Sequence, residues 1–349
     1  MIMPTTHSSN QTSLLTPKKQ SGLTLIELMI SITLGLLVVL AATAMVVSTK
    51  GLFISQTDGN ETQDSARFAL DNISRSLRQV GYVNYDFTNS PQITPDIASA
   101  DLAGLDANSV SATSADISTP LNSSVNFSDV LAVRFYGSGN TGNGDGTMSN
   151  CAGFSVPAPV SASTADTDRG WSIYYVANDA NNEPGLYCKY YSSTSGKWAA
   201  DAIVSGVESF QVLYGLDTSS PTDGLANKYL TAADINSLDS GLTLVGTTAA
   251  EKAKDLNRKT FWKKILLVKV AILVRGKENA RTDATTSTYN LFGSAYATAN
   301  SSNDKGTTIS EVNLAADTRN RIRKVYSVTI QLRNNCMVDP VHGICLPPN

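Results

Sequence analysis

Histidine is almost absent from this sequence of 349 residues, where it occurs only as His7 and His342. A Ser-His-Asp or Cys-His catalytic site needs a histidine beside a nucleophile and an orienting group, and the sequence offers no recognisable set of that kind. His342 stands near Pro340, between two cysteines, and its simpler interpretation is a loop residue in water. The sequence therefore predicts a protein that is not an enzyme.

Charged residues are also scarce, at 16% of the sequence, against the roughly 25% that is usual for soluble domains. Ser, Thr, Asn, Ala and Gly take their place, which suits an extracellular β-rich surface with long polar loops. The 27 basic and 30 acidic residues give a net charge of −3. The first 22 residues carry only two lysines and no acid, so the remainder is more acidic still. This balance argues against nucleic acid as the main ligand.

The sequence has few cysteines, and none lies in a C-x-x-C pair. They are Cys151, Cys188, Cys336 and Cys345. Their spacings match no zinc pattern, and an even number in an exported chain indicates two disulfides. Proximity in the sequence favours Cys151–Cys188 and Cys336–Cys345, while the two other pairings remain open.

Residues 137–150, rich in glycine and asparagine, raise the question of a calcium loop. They supply a single carboxylate, Asp145, together with Asn140 and Asn143. Calcium loops of the known type need more acids and a closing glutamate, so a mobile hairpin tip is the expected structure. The sequence predicts neither a metal ion nor another cofactor.

One long hydrophobic run is present. Residues 28–47 contain no charge, and as a helix rising about 1.5 Å per residue they can cross a bilayer core of about 30 Å. Lys18 and Lys19 precede the run and Lys50 follows it, so the positive-inside rule keeps the N-terminal residues in the cytoplasm and the C-terminal bulk outside. A secretory signal cleaved near residues 42–44 and a plain signal anchor are the alternatives.

Glu27 lies at the edge of this apolar segment, where a carboxylate is costly unless it is paired or close to the interface. A cut after Gly22 would create an amine on Leu23, four residues away, that could pair with Glu27 of its own chain or of a neighbouring subunit. A pair buried among packed helices would fix their axial register, because slipping it leaves two unpaired charges in an apolar medium.

Residues 18–28 (KKQSGLTLIEL) resemble the class III signal of type IV pilins and of type II secretion pseudopilins. The resemblance implies that a prepilin peptidase cuts between Gly22 and Leu23 and methylates the amine of Leu23. It also implies that Glu27, at the fifth mature position, supports subunit recruitment and packing.

The signal is specific, since it combines a basic pair, a glycine, an apolar run and one correctly placed acid. Leu23 stands where phenylalanine or methionine is commoner, a departure that the peptidase usually tolerates. The leader is longer than in many pilins, which makes Met3 an alternative start to Met1.

Beyond residue 50 the sequence becomes amphipathic, with apolar residues recurring at spacings of four and three. They are Ala66, Leu70, Ile73, Leu77 and Val80. The repeat predicts a helix that ends near Gly81 and packs this face on a globular head, with an i,i+4 ion pair between Asp71 and Arg75 on the other side. Residues 55–62 are polar and include Gly59, so we expect them to be loose.

The head is predicted to be mainly antiparallel β-sheet. Short β-branched or aromatic stretches bounded by turn residues read as strands. They are Asp129–Tyr136, Trp171–Val176, Leu186–Tyr191, Val207–Tyr214, the run ILLVKVAILVR (Ile265–Arg275) within Trp262–Arg275, and Arg323–Leu332. Short helices are expected at Thr231–Leu238 and Ala249–Asn257, and residues 84–128 are expected to have little regular structure.

The head resembles the PilW family of type IV pilus minor pilins. The resemblance lies in five segments, Gly185–Cys188, Val204–Gly215, Tyr229–Ala232, Ile265–Arg275 and Val325–Asn334. Together with the N-terminal signal it implies an α+β, pilin-like fold, in which a long N-terminal helix packs on an antiparallel β-sheet head with long loops. The implied division is a leader at 1–22, a helix at 23–81 that is transmembrane over 23–47, and a periplasmic or extracellular head at 82–349. The head residues have no catalytic role in that family.

By this resemblance the protein is a low-abundance pilus subunit. It would be a substrate of the prepilin peptidase, would prime assembly with other minor pilins in the inner membrane, and would then sit at or near the pilus tip with the major pilin and a tip adhesin as further partners. Three alternatives remain open. They are a J-type pseudopilin of type II secretion, a membrane-anchored binding or sensor domain outside any filament, and an exported hydrolase.

Overall fold

Residues 25–78 form one continuous helix, α1 (Leu25–Arg78). The structure, a computed structural model, describes residues 22–82, 96, 98–140, 142–219, 223–281, 286–333, 337–339 and 345–346. The chain divides into two compact units, one up to Phe53 and one from Ile54 onward. Residues 22–53 are all exposed, whereas the predicted apolar face of α1 beyond residue 62 is buried.

The remaining α-helices and strands of the described residues belong to the second unit. In chain order they are β1 (Leu102–Leu105), β2 (Val130–Phe135), β3 (Gly139–Asn140), β4 (Asn143–Gly144), α2 (Ala165–Asp168), β5 (Gly170–Asn178), β6 (Pro184–Ser192), β7 (Lys197–Ser205), β8 (Val207–Leu216), β9 (Lys228–Leu230), α3 (Ala232–Ser240), α4 (Ala249–Lys259), β10 (Ile265–Arg275), β11 (Thr288–Asn290), α5 (Ser294–Asn300), β12 (Thr308–Ser310), β13 (Arg323–Gln331), β14 (Met337–Val338) and β15 (Cys345–Leu346).

Two antiparallel sheets form the head. The first has the strand order β1-β2-β5-β6-β7, and the second has the order β13-β10-β8-β9. In the second sheet, the long β-branched strand β10 pairs with β8 on one side and with β13 on the other. A strand buried on both faces loses its apolar alternation, and the apolar run at the end of β10 fits that position. The predicted α+β fold is confirmed.

The main core lies where α1 and the two sheets meet. Ile73 and Leu77 of α1 are fully buried in one cluster with Tyr174 of the first sheet and with Phe210 and Ile272 of the second. Burial of each large apolar side chain of this kind stabilises the fold by about 1.5–3 kcal/mol. The amphipathic repeat therefore fixes α1 to the head, as the sequence predicts.

Residues between β10 and β13 cover the other face of the second sheet. Leu291, Ile309 and Leu314 pack there on Ala271 and Leu273. This excursion also meets the turn before β2 at Gly306, where a Cβ atom would lie only 2.5 Å from the carbonyl oxygen of Phe127. The site therefore has no room for a side chain, and the φ of +87° is a backbone conformation that favours glycine.

Several expectations about the elements were wrong. Residues 55–62 are not loose, because α1 runs through them with Asp58 and Thr62 buried. The region 84–128 contains β1, whose partner is β2. Strand β7 was not predicted, and neither was the 3-10 helix at Phe261–Lys264 that leads into β10.

Other expectations held. Residues 137–150 contain the short β3–β4 hairpin, and α3 and α4 lie where short helices were expected. Both of these helices begin with a threonine capping box, at Thr231 and Thr248, which supplies their start signals. Residues 1–21 of the leader, Cys336 and His342 lie outside the described residues.

Candidate assembly site on the N-terminal helix

The predicted processing residues lie just before α1. Gly22 and Leu23 are exposed and belong to neither helix nor strand, and a Cβ atom on Gly22 would meet nothing within 4 Å. Leu23 keeps 74% of its surface exposed. An exposed, irregular backbone is one that a peptidase can bind. Cleavage and methylation at these two residues stay a prediction.

Glu27 caps the helix of its own chain. Its carboxylate oxygen Oε2 accepts hydrogen bonds from the backbone N–H and the hydroxyl of Thr24, both at 3.2 Å, and the hydroxyl of Thr24 accepts from the N–H of Glu27 at 3.3 Å. This reciprocal arrangement is a capping box. The sequence signal was readable as Thr24-x-x-Glu27 before an apolar run, and the interpretation of Glu27 as a packing residue alone overlooked it. Its pairing with a Leu23 amine stays a prediction.

Four hydroxyl groups inside the apolar half of α1 are satisfied within the helix. Ser31, Thr33, Thr43 and Thr49 each donate to a carbonyl oxygen three or four residues earlier, at 2.7–3.1 Å. Hydroxyls bonded in this way add little polar surface to a helix in lipid. By length and composition, α1 can cross a membrane.

A polar contact joins α1 to the first sheet. The Tyr174 hydroxyl on β5 lies 2.6 Å from Ser76 Oγ and donates to Asn72 Oδ1 at 2.7 Å. Burial raises the pKa of Tyr174, although the hydrogen bond with Ser76 opposes the shift. The side chain therefore stays a neutral donor and acceptor, which suits its buried position between the helix and the sheet.

The Cys151–Cys188 disulfide supports the same contact. It joins the loop between β4 and α2 to β6, as the sequence predicts. The Cys151 carbonyl accepts a hydrogen bond from Asn72 Nδ2 at 3.2 Å, and its N–H donates to Ser172 Oγ at 2.9 Å. The disulfide thus holds the loop that faces α1. The predicted Cys336–Cys345 pairing involves Cys336, which lies outside the described residues, and it stays a prediction.

A buried ion-pair group holds the second sheet together. Glu208 on β8 accepts from Arg275 Nη1 on β10 at 3.0 Å, and from Arg323 Nε and Nη2 on β13 at 2.6 and 3.0 Å. Arg275 also bonds to Glu183, directly before β6 of the first sheet. Glu208 is 2% exposed. A buried carboxylate of this kind needs the opposite charges around it, so the group is best explained as structural.

Acidic side chains converge near the start of α3. Asp106 accepts from the N–H groups of Ala232 and Ala233, while Asp129 accepts from the backbone N–H of Ala107 at 3.0 Å. Burial, reinforced by Asp106, raises the pKa of Asp129 well above its usual range. Burial likewise raises the pKa of Asp304 to about 6, with Asp106 adding to the shift and a hydrogen bond from the Tyr296 hydroxyl opposing it.

No metal centre accompanies these acids in the part of the chain that the structure describes. None of its groups of His, Cys, Asp or Glu is arranged to hold a metal ion. Asp145, the single acid of the glycine-rich stretch, accepts hydrogen bonds from Ser138 and Thr147 within its own hairpin. Those bonds lower its pKa to about 2.

Comparison with known proteins identifies the class. The prokaryotic N-terminal methylation motif matches residues 17–43, and the family model of the type IV pilus-assembly protein W matches residues 173–334. The chain is therefore a type IV pilin-like protein. More specifically, it combines the methylation motif with a PilW region that runs from β5 to just beyond β13, and the resemblance seen in the sequence is confirmed.

A solved structure is also similar. It is a type IV-like pilin from Thermus thermophilus, which has 12% sequence identity and a TM-score of 0.36, with 78% of this chain and 95% of that chain covered. Among curated proteins, no sequence matches this chain.

Proposed function

We propose that this protein is a minor pilin, a non-catalytic subunit that helps to prime the assembly of a type IV pilus and then sits at or near the pilus tip. The observation that carries the proposal is the combination, in one chain, of a methylation motif, an exposed apolar helix and a PilW region. Residues 22–53 have no buried side chain, so their apolar surface needs lipid or other helices as a partner.

The proposed path begins in the inner membrane. Residues 1–22 are the leader, residues 23–47 span the bilayer once, and the head from residue 82 lies in the periplasm. The prepilin peptidase cuts between Gly22 and Leu23, after which other minor pilins and the major pilin are the partners. A tip adhesin is a further candidate partner of the head.

Head size supports the tip position. The compact unit that begins at Ile54 holds most of the chain, and a bulky head is hard to bury repeatedly within a tightly stacked filament. At the tip no subunit lies above it. Immunogold labelling of isolated pili tests this position, and labels spread evenly along the filaments would contradict it.

Mass analysis of the mature N-terminus tests the proposal as a whole. We expect the mature chain to begin at Leu23 with one methyl group on its amine. Gly22→Ala should block this cleavage while leaving membrane insertion intact, which makes it the matched control. An unprocessed N-terminus in the native organism would instead favour a membrane-anchored binding or sensor domain.

A J-type pseudopilin of type II secretion is the second candidate, because it shares the processing signal and a large β head. The PilW match favours the pilus. Deletion of the gene distinguishes the two candidates. For a minor pilin we expect the loss of surface pili with normal protein secretion. Normal pili with lost secretion would reverse the assignment.

A further inference from the structure

In the part of α1 between residues 54 and 65, the buried side chains are polar. Between residues 54 and 65 the buried side chains are Asp58 and Thr62, and apolar burial begins only at Ala66. Thr62 Oγ1 donates to the Asp58 carbonyl of its own helix at 2.7 Å. Asp58 is thus the buried side chain in this stretch whose hydrogen bonds reach the rest of the head.

Asp58 binds the backbone that follows β10. Its oxygen Oδ1 accepts from the N–H groups of Lys277 at 2.8 Å and Glu278 at 3.3 Å, and the side chain belongs to a residue only 4% exposed. Its other oxygen, Oδ2, is buried and has no hydrogen-bond partner among the described residues. Hydrogen bonds to a charged acceptor are stronger than neutral ones, so this contact fixes α1 to the head at the position of Asp58.

Gly276 makes the close approach possible. A Cβ atom built on it would lie 1.8 Å from Asp58 Oδ2 and 2.4 Å from Asp58 Cγ. No side chain at residue 276 could share this space with the carboxylate. The glycine and the aspartate, 218 positions apart in the sequence, therefore form one fitted contact.

Other features of this stretch favour its separation from the head. Gly59, directly beside Asp58, weakens a helix by roughly 1 kcal/mol relative to alanine. An ion pair nearby, between Lys277 and Glu61, spans 3.7 Å between exposed side chains and so contributes little. Residues 66–80, in contrast, are held by the apolar core.

We propose that Asp58 is a latch, a positioning residue that holds residues 54–65 of α1 on the head through the backbone at Gly276–Glu278. Opening it frees this stretch while residues 66–80 stay in the core. The part of α1 that is free of the head thus ends near residue 53 when the latch is closed and near residue 65 when it is open. Resting on the proposed function, one of these two lengths serves the membrane and the other serves the filament.

Hydrogen exchange of the full chain in detergent, read by mass spectrometry, tests the latch. In Asp58→Ala we expect exchange in residues 54–65 to become about tenfold faster or more, because two charge-assisted hydrogen bonds are lost. Exchange in residues 66–80 should not change. Asn60→Ala, at an exposed position two residues away, is the matched control and should leave both stretches as they are.

A second variant approaches the latch from the other side. Gly276→Ala places a methyl group against the carboxylate and should free the same residues, 54–65. Since removal of the carboxylate removes that clash, the double variant Asp58→Ala/Gly276→Ala should exchange no faster than Asp58→Ala alone. A double variant that exchanges much faster than either single one would show that the two residues act separately.

Two results would overturn the latch. One is unchanged protection of residues 54–65 in Asp58→Ala, and the other is equal loss of protection in residues 66–80, which would mean that the helix is released as a whole. Counting pili in the same strains tests the proposed function separately. A chain that is never processed or found in pili would contradict that function, whereas the exchange data would still decide the latch.

Discussion

Tyr174 Oη on β5 and Ser76 Oγ on α1 lie 2.6 Å apart, and both side chains are buried. Because the tyrosine hydroxyl also reaches Asn72, one polar group of the first sheet fixes the rotation of the helix that the apolar core holds in place.

Removal of this hydroxyl should weaken the attachment of α1. Tyr174→Phe removes a partner from the buried Ser76 and from the half-buried Asn72, and we expect a loss of about 1–3 kcal/mol in the free energy of unfolding. Urea unfolding in detergent measures it. Tyr191→Phe, at a largely exposed tyrosine, is the control; similar losses in both variants would mean that the buried contact adds nothing.

Loss of the central carboxylate of the second sheet should be more damaging. Glu208→Gln leaves the buried guanidinium groups of Arg275 and Arg323 without their shared charge, and the expected cost is about 3–5 kcal/mol. Glu278→Gln, at an exposed side chain, is the matched control. Thermal unfolding compares the two, and equal melting temperatures would contradict this account of the ion-pair group.

The raised pKa of Asp304 predicts a pH dependence of stability. Its pKa is 3.8 in the unfolded chain and about 6 in the folded chain. Between these values the folded chain binds more protons, so its stability falls as pH rises through this window and then levels off. Relative to Asp304→Asn, the native chain should lose roughly 2 kcal/mol between pH 4 and pH 7.

Unfolding of both chains at each pH measures that difference. Asp129, whose pKa is also raised, is present in both chains, so the contribution that burial makes to its shift cancels in the comparison, whereas the smaller part that the Asp304 charge adds does not. A difference between the two chains that does not change with pH would show that Asp304 keeps an ordinary pKa in the folded protein.

The capping box allows the two proposed roles of Glu27 to be separated. Thr24→Ala removes the N-cap, at a cost of about 1 kcal/mol in helix stability, but leaves the carboxylate available to a Leu23 amine. We expect Thr24→Ala to assemble and Glu27→Ala to be processed but to assemble poorly. Pilus counts and N-terminal mass measure both steps; equal defects would assign Glu27 to capping alone.

The disulfides can be mapped directly. Digestion without reduction should yield one linked peptide pair that contains Cys151 and Cys188 and, by the sequence prediction, another that contains Cys336 and Cys345. A link from either of the first two cysteines to either of the last two would contradict the assignment. Removing the first bridge should cost about 2–4 kcal/mol and loosen the loop that binds Asn72.

Local patterns account for what could be predicted of the strands. Strands with β-branched or aromatic runs, such as β8 and β10, were found from composition. β7 was missed because, as an edge strand with several exposed residues, it reads Lys-Trp-Ala-Ala-Asp-Ala, a weak β signal. β1 is only four residues long and gains its conformation from pairing with β2, a partner that local propensity does not reveal.

The sequence by itself determined the apolar helix, its processing signal and the face that α1 buries, because each depends on residues close together in the chain. Only the tertiary structure decided where the docked part of α1 begins. Asp58 seemed to belong to a loose polar stretch, since its partner is the backbone at Gly276–Glu278, more than two hundred residues away. A backbone N–H carries no mark in the sequence, so a contact built from one appears only when the chain has folded.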